Sequence, residues 1–211
     1  LEFYECSIQL SQIRNLSCFS SLTSLKLDKM ELKSLDGLPP GLKKLQLGMG
    51  SCLRKRVNFF PLRKCPELEE FTMNCFHDNF NFNIDSLQFC VQLKKLNLDE
   101  SPVHDIRALG ALSKLKHLSL RRTCVSDIRP LSTCTSLEYL DLGGDNFHGS
   151  PNRGDSDDWD GDAHIDYVYN GKIRDISVVA NLKFLKYLDL SHEKVSDIEP
   201  LKHCGFLEHI N

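Results

Sequence analysis

Four alanines in 211 residues are too few for a helical bundle of ordinary composition, which draws on alanine and leucine together. Charge of one sign is also missing. The 26 Lys and Arg stand against 29 Asp and Glu, and a net of -3 argues against bulk electrostatic binding to nucleic acid. No apolar run approaches the roughly 20 residues of a membrane-spanning helix, so membrane insertion is not expected. No basic-then-apolar secretory signal opens the chain. The chain starts at Leu1 and so reads as a fragment or processed product, from which such a signal could have been lost. There is no Gly-rich phosphate loop, no nucleophile elbow and no helical pair of histidines. No catalytic residue and no cofactor are therefore expected, and the chain reads as a non-enzyme. A charged content of 26% with 41% hydrophobic residues is ordinary for a folded soluble protein of one or two domains.

What is present in excess is leucine, 34 residues of it, and it is periodic. Leu115-Leu118-Leu120, Leu137-Leu140-Leu142 and Leu185-Leu188-Leu190 read L-x-x-L-x-L, as do Leu22-Leu25-Leu27, Leu42-Leu45-Leu47 and Leu93-Leu96-Leu98. Leu68-Phe71-Met73 is a looser copy, and Leu1-Phe3 and Leu207-Ile210 are copies cut by the chain ends. The first anchor of each core falls at 1, 25, 45, 71, 96, 118, 140, 188 and 210, which sets a base period of 22 and one step of 48. The second half of the unit repeats as well: Val103 to Leu109, Val125 to Leu131 and Val195 to Leu201 share Val-x-Asp-Ile-x-x-Leu, and Ile173 to Val179 is a variant. Alternation in x-L-x-L-x puts the leucines on one face of a short strand. One such strand cannot bury its face alone, whereas parallel copies stacked about 4.8 Å apart make one continuous core. The Val-x-Asp-Ile phrase then returns the chain on the outer side, with three more apolar anchors pointing inward.

These phrases resemble the leucine-rich repeat family, and most of all the 22-residue class shared by bacterial internalins and eukaryotic phosphatase-regulatory repeats. The resemblance covers the chain except about 26 residues near 146–171. It implies an α/β solenoid, a right-handed superhelix with a parallel β-sheet on the concave face and short turns or 3-10 segments on the convex face. The whole of 1–211 then forms one domain of about nine strands. The family usually carries asparagine or cysteine three residues after the second strand leucine. Cys6, Met30, Gly50, Phe76, Ser101, Thr123, Asp145 and Glu193 stand there instead, so no asparagine ladder is expected.

Nine cysteines invite a disulfide framework, but their positions argue otherwise. Cys65, Cys90, Cys134 and Cys204 each precede a tetrad by three residues, where other units carry Phe19, Leu112 and Leu182. The slot reads as core, with cysteine as a small hydrophobe and the thiols reduced. That points to the cytoplasm and leaves nuclear, secreted and cell-surface locations open. Cys52, Cys65, Cys75 and His77 contain no C-x-x-C pair, so no metal site is expected.

The step of 48 holds an inserted loop at about 146–171, rich in Gly, Ser, Pro and Asp. It leaves just after a strand and should emerge at the rim of the concave face. Asp155, Asp157, Asp158, Asp160 and Asp162 make it acidic. Aligning Gly161 as the turn glycine of a calcium loop puts Ser156 first and Tyr167 twelfth, where acids are needed, so a solvated acidic loop is the better reading. A calcium-dependent adhesion module is a weaker alternative. Arg153-Gly154-Asp155 is an integrin-type tripeptide that three residues match by chance often. Trp159 either meets a partner or packs back on the array. A basic cluster of Arg54, Lys55, Arg56, Arg63 and Lys64 reads as a solvated outer loop.

The residues between the leucines face the concave side. Their central column is Lys26, Gln46, Thr72, Asn97, Ser119, Asp141 and Asp189. Tyr139 and Tyr187 flank it on one side and Arg121 on the other. These residues and Trp159 are the candidate partner-binding set, since aromatic, arginine and carboxylate side chains concentrate at protein interfaces. The resemblance implies a module that binds a partner protein through the concave face and the inserted loop. The alternative is a structural or targeting spacer flanked by other domains of a longer chain.

Overall fold

The computed structural model describes residues 2–4, 13–28, 35–49, 58–75, 83–144 and 172–211. Nine strands form one sheet in chain order: β1 (Glu2–Tyr4), β2 (Ser24–Asp28), β3 (Lys44–Met49), β4 (Glu70–Cys75), β5 (Lys95–Asn97), β6 (His117–Ser119), β7 (Tyr139–Asp141), β8 (Tyr187–Asp189) and β9 (His209–Ile210). Every pairing is parallel, because each strand must return over the other side of the core before the next begins. Leu25 pairs with Leu45, Leu45 with Phe71, Phe71 with Leu96, and so on through Leu118, Leu140, Leu188 and Ile210. The register is the one the leucine spacing requires. Because Leu140 pairs with Leu188, the residues between β7 and β8 are accommodated without breaking the ladder.

One hydrophobic cluster runs the length of the array. The anchors of the interior strands are fully enclosed, Leu96, Leu118, Leu140 and Leu188 among them. Each enclosed leucine contributes about 1.5–3 kcal/mol relative to an exposed one. An exposed ion pair contributes about 0.2–1 kcal/mol, so the leucines and not the charges hold this fold.

The return leg is a 3-10 helix of five residues in six of the seven units that have one, as at Arg107–Ala111, Arg129–Thr133 and Ser177–Asn181. Its start is set by the aspartate of the repeated phrase. Asp105, Asp127, Asp175 and Asp197 accept the backbone N–H of Arg107, Arg129, Ser177 and Glu199 at 2.8–3.0 Å. Val103, Ile106 and Leu109 point inward from one return and Val125, Ile128 and Leu131 from the next, all buried.

The cysteine slot does more than fill space. Cys90 Sγ donates to Leu62 O at 3.5 Å, Cys134 to Leu109 O at 3.2 Å and Cys204 to Val179 O at 3.4 Å, each in the preceding coil. Cys65 reaches Pro39 O in the same way. The carbonyls of Leu62, Leu109 and Val179 already accept the amide that closes their own helix, so the thiol uses a second lone pair. Burial pushes the thiols up, to about 11 for Cys65 and Cys134 and about 12 for Cys90, which keeps them protonated and unreactive. Cys18, Cys65, Cys90, Cys124, Cys134 and Cys204 form no disulfide, and Cys6, Cys52 and Cys75 fall outside the described side chains. Phe19 departs from the expectation that its slot is core: it is 56% exposed.

Two further features belong to the backbone. Glu100, Arg122 and His192 take positive φ at equivalent points just past β5, β6 and β8. The chain turns there in the left-handed region at a cost of about 1–2 kcal/mol for a side-chain-bearing residue. Polar side chains also serve the slot that lacks asparagine. Ser101 is buried against Met73 O and Asp99 O, Thr123 Oγ1 donates to Leu120 O at 2.8 Å, and Glu193 Oε2 accepts Ile173 N–H at 2.7 Å. In the last coil the pattern opens. Ile198 is 66% exposed where Ile106, Ile128 and Ile176 are buried.

Candidate functional site

The open face of the sheet carries the three side-chain columns that alternation requires. The central column is continuous in register: Lys26, Gln46, Thr72, Asn97, Ser119, Asp141, Asp189. Its members are not equally available. Gln46 is exposed, and Lys26, Thr72, Asn97 and Asp189 are half-buried. Ser119 and Asp141 are buried. Ser119 Oγ donates to Asp99 Oδ1 at 2.5 Å, so its hydroxyl is already engaged. Arg121 is exposed, and its backbone N–H donates to the same Asp99 oxygen at 2.9 Å.

Beside the carboxylates stands an aromatic ladder. His117 and Tyr139 stack at 3.9 Å with planes 10° apart, Tyr139 and Tyr187 at 4.3 Å and 5°, and Tyr187 meets His209 at 6.3 Å. The spacing follows from the parallel strands, which set equivalent side chains about 4.8 Å apart, close to ring-stacking distance. The ladder runs past the two tyrosines to a histidine at each end. Between the ladder and the row Lys116, Glu138, Lys186 and Glu208 lies a shallow groove of about 370 Å³. Glu138 bridges Lys116 at 3.0 Å and Lys186 at 2.8 Å. Hydrogen bonds from Lys186 and Lys116 lower its pKa to about 2.

The two carboxylates of the site sit in different environments. Asp141 Oδ1 accepts Gly143 N–H at 2.9 Å, but burial and the charges of Asp189 and Asp99 push its pKa up. Burial also opposes the Asp189 charge, yet hydrogen bonds from the Ser191 hydroxyl and N–H outweigh it and hold the pKa below the ordinary range. Tyr139 and Tyr187 reach Asp141 Oδ2 and Asp189 Oδ2 at 3.4 Å, long for O–H···O bonds and so weak. Burial and the adjacent carboxylates push both phenols up, so they remain neutral donors. Gly143 leaves room here: a Cβ would lie 3.0 Å from Asp189 Oδ1 and 3.2 Å from Asp141 Oδ1, and both carboxylates would have to shift. Burial, then Lys95, lowers the pKa of His117, which favours the neutral imidazole against Tyr139.

Trp159, the five loop aspartates, the Arg-Gly-Asp tripeptide and Arg54 to Arg56 lie outside the described residues. Arg63 and Lys64 are described and exposed, with the Arg63 guanidinium 3.7 Å above the Phe60 ring. Among the described residues no group of three or more His, Cys, Asp or Glu side chains could hold a metal ion. No helix among the described residues is long and apolar enough to cross a membrane.

A stacked parallel ladder with leucine anchors and 3-10 returns defines an open leucine-rich repeat solenoid. The family model for leucine-rich repeats in two copies matches residues 113–148. An internalin (inlF) from Listeria monocytogenes is similar in fold, with TM-score 0.68 and 19% identity over 94% of this chain and 50% of that one. Internalin C2 of the same organism gives TM-score 0.70 and 20% identity over 93% and 73%. A leucine-rich repeat protein of Leptospira interrogans gives 0.55 and 17% over 93% and 50%. The chain thus spans half the length of the first of these internalins. No curated protein matches it. Residues 113–148 thus match leucine-rich repeats, and the chain has the leucine-rich repeat fold, similar to that of internalins. Leucine-rich repeat domains generally bind other proteins, and the fold is typically non-enzymatic.

Proposed function

We propose that this chain is a non-enzymatic module that grips a partner protein on the concave face of its sheet. The main contacts fall on Tyr139, Tyr187, Asp141, Asp189 and Arg121, with lesser ones from Lys26, Gln46, Thr72 and Asn97. The inserted loop at about 146–171 and its Trp159 lie next in sequence to β7 and β8 and extend this surface. The observation that carries the reading is the His117–Tyr139–Tyr187 stack. Tyrosines held by their neighbours offer large contact area at little further entropic cost on binding. The free thiols Cys65, Cys90, Cys134 and Cys204 support a reducing compartment.

The test begins with partners captured from the source cell lysate on the whole chain, followed by removal of 146–170. A folded protein that has lost its partner supports the reading. A folded protein with undiminished binding would leave the loop without a role, and insensitivity to concave-face substitutions as well would favour a spacer.

A further inference from the structure

Resting on the concave-face reading, we infer the form of what binds there: a proline-rich segment in the polyproline II conformation, laid across β6 to β9 in the groove beside the aromatic ladder. The groove has two walls, and every residue lining it is described. One wall is His117, Tyr139, Tyr187 and His209, in register on four adjacent strands. The other is the alternating lysine and glutamate row, in which Glu138 engages Lys116 at 3.0 Å and Lys186 at 2.8 Å. The charges of that wall are spent on one another, so the groove suits an occupant that brings none.

The groove crosses the strands rather than following them, and that decides between kinds of segment. Its walls repeat once per strand, about 4.8 Å, and so about 9.6 Å for every second strand. A polyproline II helix turns once in three residues of about 3.1 Å, or about 9.3 Å, and keeps step with alternate strands along the whole groove. An α-helix, with a pitch of about 5.4 Å, falls out of step by about 2 Å between His117 and His209. An extended strand repeats on one face about every 6.6 Å and matches neither spacing. The walls agree chemically. Aromatic-lined grooves receive proline rings, and this ladder opens at one end, from 4.3 Å and 5° between Tyr139 and Tyr187 to 6.3 Å and 47° between Tyr187 and His209. Both phenols are neutral donors whose contacts with the aspartates are long, at 3.4 Å. Polyproline II leaves its backbone carbonyls without internal partners, and such donors suit them. The segment and the stacked rings are both stiff, so neither loses much freedom on docking.

The probe is a labelled synthetic peptide with proline at every third position, titrated against the whole chain by fluorescence anisotropy. A glycine–serine peptide of equal length and an alanine-rich helical peptide are the controls. The proline peptide is expected to bind at least about tenfold more tightly than either control. Added salt should change its affinity by less than about twofold, because the charges of the groove are already paired. Tyr139→Leu with Tyr187→Leu should weaken it at least about tenfold, whereas Tyr187→Phe, which keeps the ring, should weaken it by less than about threefold. Amide NMR shifts on adding the peptide to the parent chain locate the site without any variant, and they are expected along β6 to β9. Equal affinity for the three peptides, or shifts confined to another region, would overturn the inference. Absence of proline-peptide binding, beside a captured partner that still needs Tyr139 and Tyr187, would overturn it and leave the concave-face reading standing.

Discussion

Along β3 and β4 the column beside the central one carries long charged side chains, whereas along β6 to β8 the same column carries stacked rings beside short carboxylates. Lys44 and Glu70, 2.7 Å apart, form the first kind of surface, and an ion-paired row of lysines and glutamates runs past both regions. His117, Tyr139, Tyr187, Asp141 and Asp189 form the second. The repeat supplies the same backbone to both, with identical pairing and the same leucines beneath. What differs is preorganisation. Exposed ion pairs between flexible stems contribute about 0.2–1 kcal/mol and rearrange readily. Stacked tyrosines have few torsions left to lose, so a partner meeting them pays less ordering entropy. One scaffold thus supports a compliant surface at one end and a rigid one at the other.

The comparison can be broken from below. Leu140 is fully enclosed beneath the rigid patch, and Leu140→Ala should cost about 2–5 kcal/mol in denaturant unfolding. The same cut at the largely exposed Ile198 should change stability by less than about 0.5 kcal/mol. Comparable losses at both would mean that the last coil packs as the interior ones do. A smaller contrast lies in the thiols. Cys134→Ala removes a buried sulfur and its contact with Leu109 O, at an expected cost of about 1 kcal/mol, while Cys18→Ala, at an exposed site, should stay within about 0.5 kcal/mol. A thiol reagent applied to the folded chain should accordingly modify Cys18 and spare Cys65, Cys90 and Cys134 until unfolding.

The subtlest contrast is in pH, where Glu138 and Asp141 should act with opposite sign. Pairing lowers the folded-state pKa of Glu138 to about 2, so its stabilisation is present above the unfolded value of 4.5 and is lost as pH falls toward 2. Glu138→Gln should therefore melt earlier than the parent at neutral pH and match it in strong acid. Burial raises the pKa of Asp141, so its ionisation penalises the folded state once pH rises through the unfolded value of 3.8. Asp141→Asn should melt later than the parent at neutral pH, with the gain fading in acid. Melting curves of the two variants across the acid range check both signs.

Much of this architecture was legible in the leucines, for a physical reason. A strand has a side-chain period of two and a stacked array has a fixed step, so Leu25, Leu96 and Leu140 determine register and facing residues at once. Even Phe71 and Met73, in the loosest unit, pair where spacing puts them. Spacing carries no information on contacts made between coils. The thiol of Cys134 on a carbonyl 25 residues earlier is such a contact, and so is the burial of Ser119 under Asp99. The positive φ of Glu100, Arg122 and His192 was hidden too, because none of the three is a glycine. The stack was half legible. Tyr139 and Tyr187 were visible as neighbours once the insertion was set aside, whereas His117 and His209 gain meaning only from ring geometry.

The most direct measurement is the affinity of the captured partner for two sets of variants of the whole chain, Tyr139→Ala with Tyr187→Ala, and Lys26→Ala with Gln46→Ala. The rigid-patch account predicts that the tyrosine pair weakens binding by more than about thirtyfold, near 2 kcal/mol, while the Lys26 and Gln46 pair changes it by less than about threefold. Equal losses from the two pairs, or none from the tyrosines in a protein that still melts cooperatively, would contradict it.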